Sequence, residues 1–287
     1  MNVTIRSKGE TLLIDAHHHL WKHNDRDYDW MNSDGLAPLR RDYLVDDLVE
    51  AARPSRVSAT IVVQACQNLT ETEWLLEIAT SSSLVQGVVG WVPLCSPGVT
   101  SNLDRFARNP KFKGVRHILQ AEPDDFFMLR EDFNRGVEQL KQFGLVYDVL
   151  IFERHLPQAI EFVDRHPQQA FVLDHVAKPK IKENLLQPWA DGIRELAKRE
   201  NVYCKVSGMT TEADWSSWTV QSLRPYFDVV LAAFGPKRLM FGSDWPVLTL
   251  ASDYRAWVDT FRAFIADLSP DEQERISSGT AREVYRV

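Results

Sequence analysis

Long apolar runs are missing from this chain of 287 residues. No stretch approaches the roughly 20 apolar positions that a membrane span requires. Met1 to Thr11 is polar and lacks the apolar core of a secretory signal. Cysteine is scarce: Cys66, Cys95 and Cys204 are odd in number and widely spaced, with no Cys-x-x-Cys pair. That pattern speaks against a disulfide framework or a cysteine zinc site and suits small buried hydrophobes in a reducing compartment. Positive charge is in deficit, 33 Lys and Arg against 40 Asp and Glu, for a formal charge of −7. Such a surface repels nucleic acid and anionic membranes and leaves a small molecule as the expected partner. Internal repeats and low-complexity linkers are also absent. The reading is a cytoplasmic protein with one domain over residues 1–287.

What is present is a regular recurrence of short β-branched runs. They lie at 12–16, 59–65, 88–94, 114–119, 146–151, 171–176, 202–206 and 238–242. Their continuous apolarity suits strands buried on both faces of a parallel sheet. Helical spacing appears between them, as in Leu75, Ile78 and Ala79, in Phe133, Val137 and Leu140, and in Ile160, Phe162 and Val163. The cleanest stripe is Tyr254, Trp257, Val258, Phe261, Phe264 and Ile265. Ser269-Pro270-Asp271-Glu272 reads as a capped helix start. Eight strand–helix units near the usual barrel length of about 250 residues predict a single (β/α)8 TIM barrel. An open doubly wound sheet fits less well, because no Gly-x-Gly-x-x-Gly follows the first strand. The connection from Lys22 to Tyr43 is long, and a loop of that length often forms a lid.

Function in such a barrel gathers at the C-terminal strand ends. The first strand ends in His17, His18 and His19, the second in Gln64, the fourth in Arg116 and His117, and the fifth in Asp148. The sixth ends in His175, the seventh in Lys205 and Ser207, and the eighth in Asp244. A lone histidine at a strand end is usually structural; polar groups at seven of eight ends are not so easily dismissed. Strict alternation places His17, His19 and Asp15 on one face and turns His18 away. Asp15 then either orients an imidazole or belongs to a polar floor.

His17-x-His19, His175 and Gly242-Ser243-Asp244-Trp245-Pro246 together resemble the amidohydrolase superfamily. Asp15-Ala16-His17, Gly114-Val115-Arg116, Val206-Ser207-Gly208 and Gly279-Thr280-Ala281 bring the likeness closer to its branch of sugar-lactone and pyrone-dicarboxylate lactonases. The resemblance implies hydrolysis of a cyclic ester, with Asp244 activating water and His17, His19 and His175 polarising the carbonyl. The fifth strand carries no histidine in register, so a two-metal site is not expected. His17, His19 and Asp244 are the set for one divalent ion such as zinc, although the branch resemblance favours hydrolysis that needs no cofactor.

For binding, Arg116, His117 and Gln64 at strand ends and Trp21, Tyr28 and Trp30 near them suit a neutral sugar-acid lactone of the fuconolactone or rhamnonolactone kind. A pyrone dicarboxylate calls for more arginines than Arg116 alone. A zinc-dependent decarboxylase of the same superfamily and a non-catalytic sugar-acid binder are the competing readings.

Overall fold

A computed structural model describes residues 12–287; the polar segment Met1–Thr11 lies outside the described residues. Eight strands form: β1 Leu13–His18, β2 Val57–Val63, β3 Val85–Gly90, β4 Phe112–His117, β5 Val146–Val149, β6 Phe171–Leu173, β7 Val202–Val206 and β8 Leu239–Phe241. All seven neighbouring pairs are parallel and follow sequence order. Just past β8, Asp244 N–H donates to His17 O at 2.8 Å and His19 N–H to Trp245 O at 2.7 Å. These two bonds bring the last strand back to the first and close a (β/α)8 barrel.

Side-chain alternation sorts the apolar residues into two bodies. Ile14, Ile61, Val89, Val146, Val172 and Met240 fill the barrel interior. Their neighbours along the strands face the helices in the larger outer core. The predicted stripe on the helix Tyr254–Ile265 is buried throughout, and Asp253 caps it by accepting from Ala256 N–H. Ser269 and Glu272 form the expected reciprocal cap.

The predicted third strand, 88–94, sits three residues too far along. Trp91 N–H leaves the ladder for Thr72 Oγ, while Val92 and Leu94 stay buried without strand pairing. Apolarity there reports packing under a helix. The sixth strand is also shorter than its apolar run, for a reason that shapes the site.

The floor of the barrel is the last helix, Thr280–Tyr285. Ala281, Val284 and Tyr285 join the inner cluster. Beside them, Lys113 Nζ from β4 donates to Arg286 O at 3.0 Å, and the Arg286 guanidinium donates to Gly144 O just before β5. The N-terminal face is thus plugged, and the C-terminal face is left for ligands. Cys66 and Cys204 are buried free thiols and Cys95 is partly buried. Among the described residues no helix is long and apolar enough to cross a membrane.

Candidate active site

The first strand departs from simple alternation. Asp15 pairs with Thr60 and His18 with Val62, so three steps on β1 match two on β2. This bulge re-aims the side chains. Ala16 points into the barrel, and His17 points to the site beside it. His18 turns away and reaches Thr60 Oγ at 2.9 Å, as alternation predicts. Asp15 does not share the His17 face. It accepts from Ser243 N–H, Ser243 Oγ and Tyr254 OH at 2.6–2.8 Å. Its work is to tie the segment after β8 and the helix Tyr254–Ile265 to β1, and no imidazole touches it.

His175 sits after β6 on four successive left-handed residues, His175, Val176, Ala177 and Lys178, with φ between 48° and 60°. Each such residue costs about 1–2 kcal/mol, and a β-branched one is rare there. Two bonds hold the turn: Trp189 Nε1 donates to Val176 O at 2.7 Å, and Lys178 N–H to His175 O at 2.8 Å. The turn cuts the sixth strand short and puts His175 and Lys178 on one side. Asp244 is left-handed as well, at φ 59°. Strain concentrated on these residues marks a site held for chemistry. Room for His175 depends on Gly208 (φ 65°), where a Cβ would lie 2.7 Å from His175 Nδ1.

The sequence-predicted set converges. Asp244 Oδ1 lies 3.4 Å from His19 Nε2, 3.8 Å from His175 Nε2 and 3.9 Å from His17 Nε2. His17 Nε2 and His19 Nε2 are 3.2 Å apart. Hydrogen bonds constrain the ring protons. His19 Nδ1 is 2.8 Å from Val63 O, which only accepts, so Nε2 carries the lone pair. Arg116 Nη1, which only donates, is 3.3 Å from His17 Nε2, while Asp174 Oδ1 is 3.2 Å from Nδ1. A lone pair at His17 Nε2 suits both contacts, while Lys205 Nζ, a second donor, also stands 3.2 Å from Nδ1. Ser207 Oγ makes its only hydrogen bond among the described residues to His175 Nδ1, at 2.9 Å. If the hydroxyl donates, His175 carries an Nε2–H; if it accepts, Nε2 keeps a lone pair that a cation can use.

Burial holds His17 and His175 well below the usual imidazole range, and Lys205 pushes His17 further down. His19 is lowered by burial despite the pull of Asp244. Burial works to raise Asp244, but His175, His19 and Lys178 outweigh it and keep the carboxyl below its ordinary value. The centre is thus one carboxylate among neutral rings.

Two lone pairs and a carboxylate facing each other suit a cation. One ligand atom each from His17, His175 and Asp244 lie within 4.8 Å of one another, and His19 Nε2 stands beside them. Tetrahedral zinc with nitrogen and oxygen ligands has edges of about 3.3 Å, close to the separations found here. The residues present fit one divalent ion.

Beneath this centre runs a sealed ladder of charge. Arg116 Nη1 meets Asp174 Oδ2 at 3.1 Å and Lys205 Nζ meets Asp174 Oδ1 at 3.0 Å. Lys205 also pairs with Asp148, which accepts from Tyr285 OH at 2.8 Å. Burial raises Asp148 to about 6, and Lys205 opposes that rise. Sequence reading placed Asp148 and Lys205 at strand ends. It missed Asp174, whose signal was its register with inward-facing Val172.

A cavity of about 340 Å³ opens above the centre. His19, His175, Asp244, Arg116 and Trp30 line it, with Ile118 and Leu150 on an apolar side. The other residues proposed for binding are placed elsewhere. Trp21 is fully buried against Tyr28, Trp30 and Tyr43. Tyr28 OH bonds Glu71 at 3.0 Å. His117 lies against Phe127, 2.6 Å from Glu122. Gln64 lies below, its amide on Arg116 O.

The long Lys22–Tyr43 connection carries regular structure of its own. It folds into the 3-10 turns Asp29–Met31 and Asp34–Leu39 and is pinned by Trp30 Nε1 on Ala65 O at 3.2 Å. It brings Asp27, Asp29 and Trp30 to the cavity. Lys178 and Gln120 also line it. Nothing in the sequence marks Lys178, since its place depends on the left-handed turn.

Comparison with known proteins gives a consistent picture. The amidohydrolase family pattern matches residues 14–287. An L-fucono-1,5-lactonase from Burkholderia multivorans is 39% identical over 96% of both chains. A protein of the same name from Burkholderia ambifaria is 36% identical over the same share. The crystal structure of an amidohydrolase from Burkholderia multivorans with bound zinc superposes with a TM-score of 0.92. It is 40% identical and covers 96% of this chain and 99% of that one.

Proposed function

This chain belongs to the amidohydrolase family, and we propose that it hydrolyses the ring ester of a neutral sugar-acid lactone, of the L-fuconolactone kind, to the open-chain acid. The observation that carries this reading is the meeting of Asp244 with three buried imidazoles at the foot of a sugar-sized cavity. The names of the two lactonase relatives support the substrate class. The cavity offers few free cations for a substrate carboxylate: Arg116 is already paired with Asp174, which leaves Lys178 as the other lining cation, while Asp29 is of the opposite sign.

In the reaction, water sits between Asp244 and the Nε2 lone pairs of His17 and His19, with one hydrogen pointed at Asp244 and the other shared by the two lone pairs. Asp244 takes one proton as the oxygen attacks the lactone carbonyl. The carbonyl oxygen, now an oxyanion, accepts from His175 Nε2–H and from the Arg116 guanidinium, with Lys178 adding positive charge nearby. One such donor is typically worth about 100- to 1000-fold in rate. The tetrahedral centre then collapses, the ring C–O bond breaks, and Asp244 returns its proton to the leaving alkoxide. His17 and His19 thus act as acceptors on the water, a division of labour that their ring protons favour over three imidazoles polarising the carbonyl. A divalent ion would be held by His17, His175 and Asp244, with His19 beside them and the His175 ring proton moved to Nδ1, and it would supply Lewis acidity to the carbonyl. An ester needs less activation than an amide, so we assign the essential steps to the side chains.

The test is a panel of aldonolactones and pyrone-dicarboxylate lactone, followed by a pH indicator with and without chelator. Rapid acid release from a neutral aldonolactone, persisting in chelator, is the expected result. Inactivity on every neutral lactone overturns the substrate class. Loss of turnover in chelator, restored by zinc, overturns the assignment to side chains alone.

A further inference from the structure

One buried carboxylate takes no part in the reaction. Glu71 stands at the third position of the helix Leu69–Ser81, where its N–H donates to the cap residue Asn68 at 2.6 Å. An acidic side chain there commonly reaches back to the N–H of the cap itself. Glu71 reaches further. Its Oε2 accepts from Ala65 N–H at 2.9 Å and Cys66 N–H at 3.0 Å, and its Oε1 accepts from Tyr28 OH at 3.0 Å. Glu71 and Tyr28 are both buried, and among the described residues no cation pairs with the carboxylate. A sealed charge without a counter-charge is costly, so these donors are what hold it.

The donors come from two sides of the cavity. Ala65 and Cys66 follow β2 and line it. Tyr28 lies in the Lys22–Tyr43 connection between Asp27 and Asp29, which line it as well. Met31 N–H donates to Tyr28 O at 3.0 Å, so Tyr28 opens the short turn that carries Trp30. Trp30 has its own link across the cavity, from Nε1 to Ala65 O, but at 3.2 Å it is near the long limit of such a bond. Ala65 is thus gripped twice, its N–H by Glu71 and its carbonyl by Trp30. Without the carboxylate, a hydroxyl and two backbone N–H groups are left buried and unpaired. They regain partners only if the loop draws away and admits water.

We propose that Glu71 is a positioning residue for substrate binding: by clasping Tyr28 to the Ala65–Cys66 backbone, it keeps the Trp30 indole in the cavity wall. The effect on KM rests on the lactonase reading above; the placement of Trp30 does not. Trp30 is exposed and meets Trp21 edge-on, which leaves ring surface open to the C–H face of a sugar ring. No step of the reaction passes through Glu71. Loosening the clasp therefore thins the population ready to bind and spares the chemistry.

The experiment uses full-length protein labelled with 15N-tryptophan. The Trp30 indole resonance is identified by its loss in Trp30→Phe. In Glu71→Gln, and in the milder Tyr28→Phe, which removes one hydroxyl, its hydrogen exchange should quicken by at least about fivefold. With a neutral aldonolactone, both variants should raise KM by at least about fivefold and leave kcat within about twofold. Because Glu71 acts through Trp30, in a Trp30→Ala background Glu71→Gln should change KM by less than about twofold. Unchanged indole exchange in both variants overturns the proposal, whatever happens to Tm. So does a Glu71→Gln effect of equal size with and without the indole, or a fall in kcat at constant KM. The exchange result needs no substrate, so failure of the lactone assignment is distinguishable from failure of this one.

Discussion

Two layers of the barrel, one above the other, hold similar residues to opposite ends. The lower layer contains Asp148, Asp174, Lys205 and Arg116, and every charge has a partner. The upper layer contains Asp244 and three imidazoles. Its carboxylate stands 3.4 Å or more from rings held neutral by burial. Complete pairing keeps the carboxylates of the lower layer out of the chemistry, while incomplete pairing leaves the upper one with lone pairs and a base to offer. A buried carboxylate is thus structural or reactive according to what its neighbours leave unsatisfied.

Substitutions should separate the layers, rate falling in one and stability in the other. Asp244→Asn keeps the shape and removes the base. Steady-state assays should show kcat lower by up to about 10⁴-fold, with no loss in Tm. Full activity in this variant makes the upper layer a binding site only. Lys205→Met leaves two sealed carboxylates without their shared counter-charge. Chemical denaturation should reveal a loss of about 3–5 kcal/mol. An unchanged unfolding midpoint would put the two layers on the same footing.

Gly208→Ala probes the boundary, because its Cβ meets His175 Nδ1. Turnover should fall by about 100-fold as the donor is displaced, with about 1–2 kcal/mol of backbone strain seen in the same unfolding curves. The smallest effect is in pH. Asp244 must be ionised to accept a proton, and its pKa is lowered, so kcat/KM falls only as pH drops through that lowered value. The profile should be flat from neutral pH downward and decline only below 3.8. A limb at the usual histidine value would mean that the upper imidazoles do titrate.

Much of this was legible in the chain. Eight apolar runs gave the strand count, and their polar terminators gave His17, His19, His175 and Asp244. Residues whose position follows from regular strand geometry were the readable ones. Asp15 was misassigned because one extra residue in β1 reverses the faces after it. Lys178 could not be found, because four left-handed residues carry it to the cavity and no local preference encodes them. His117 and Tyr28 have the right chemistry for binding sugar, but Glu122 and Glu71 already engage them. A candidate's partner, drawn from another part of the chain, is what residue type alone cannot reveal. Trp30 reaches the cavity because its indole bonds a backbone carbonyl and leaves a ring face free.

The bonds from Asp244 to His17 and from His19 to Trp245 have a kinetic consequence. They join segments more than two hundred positions apart, so loop closure of nearly the whole chain precedes them. Helices and most strand pairs can form earlier, from nearby partners. During refolding, helical signal should therefore return first, and catalytic competence only when the ends of the ring meet.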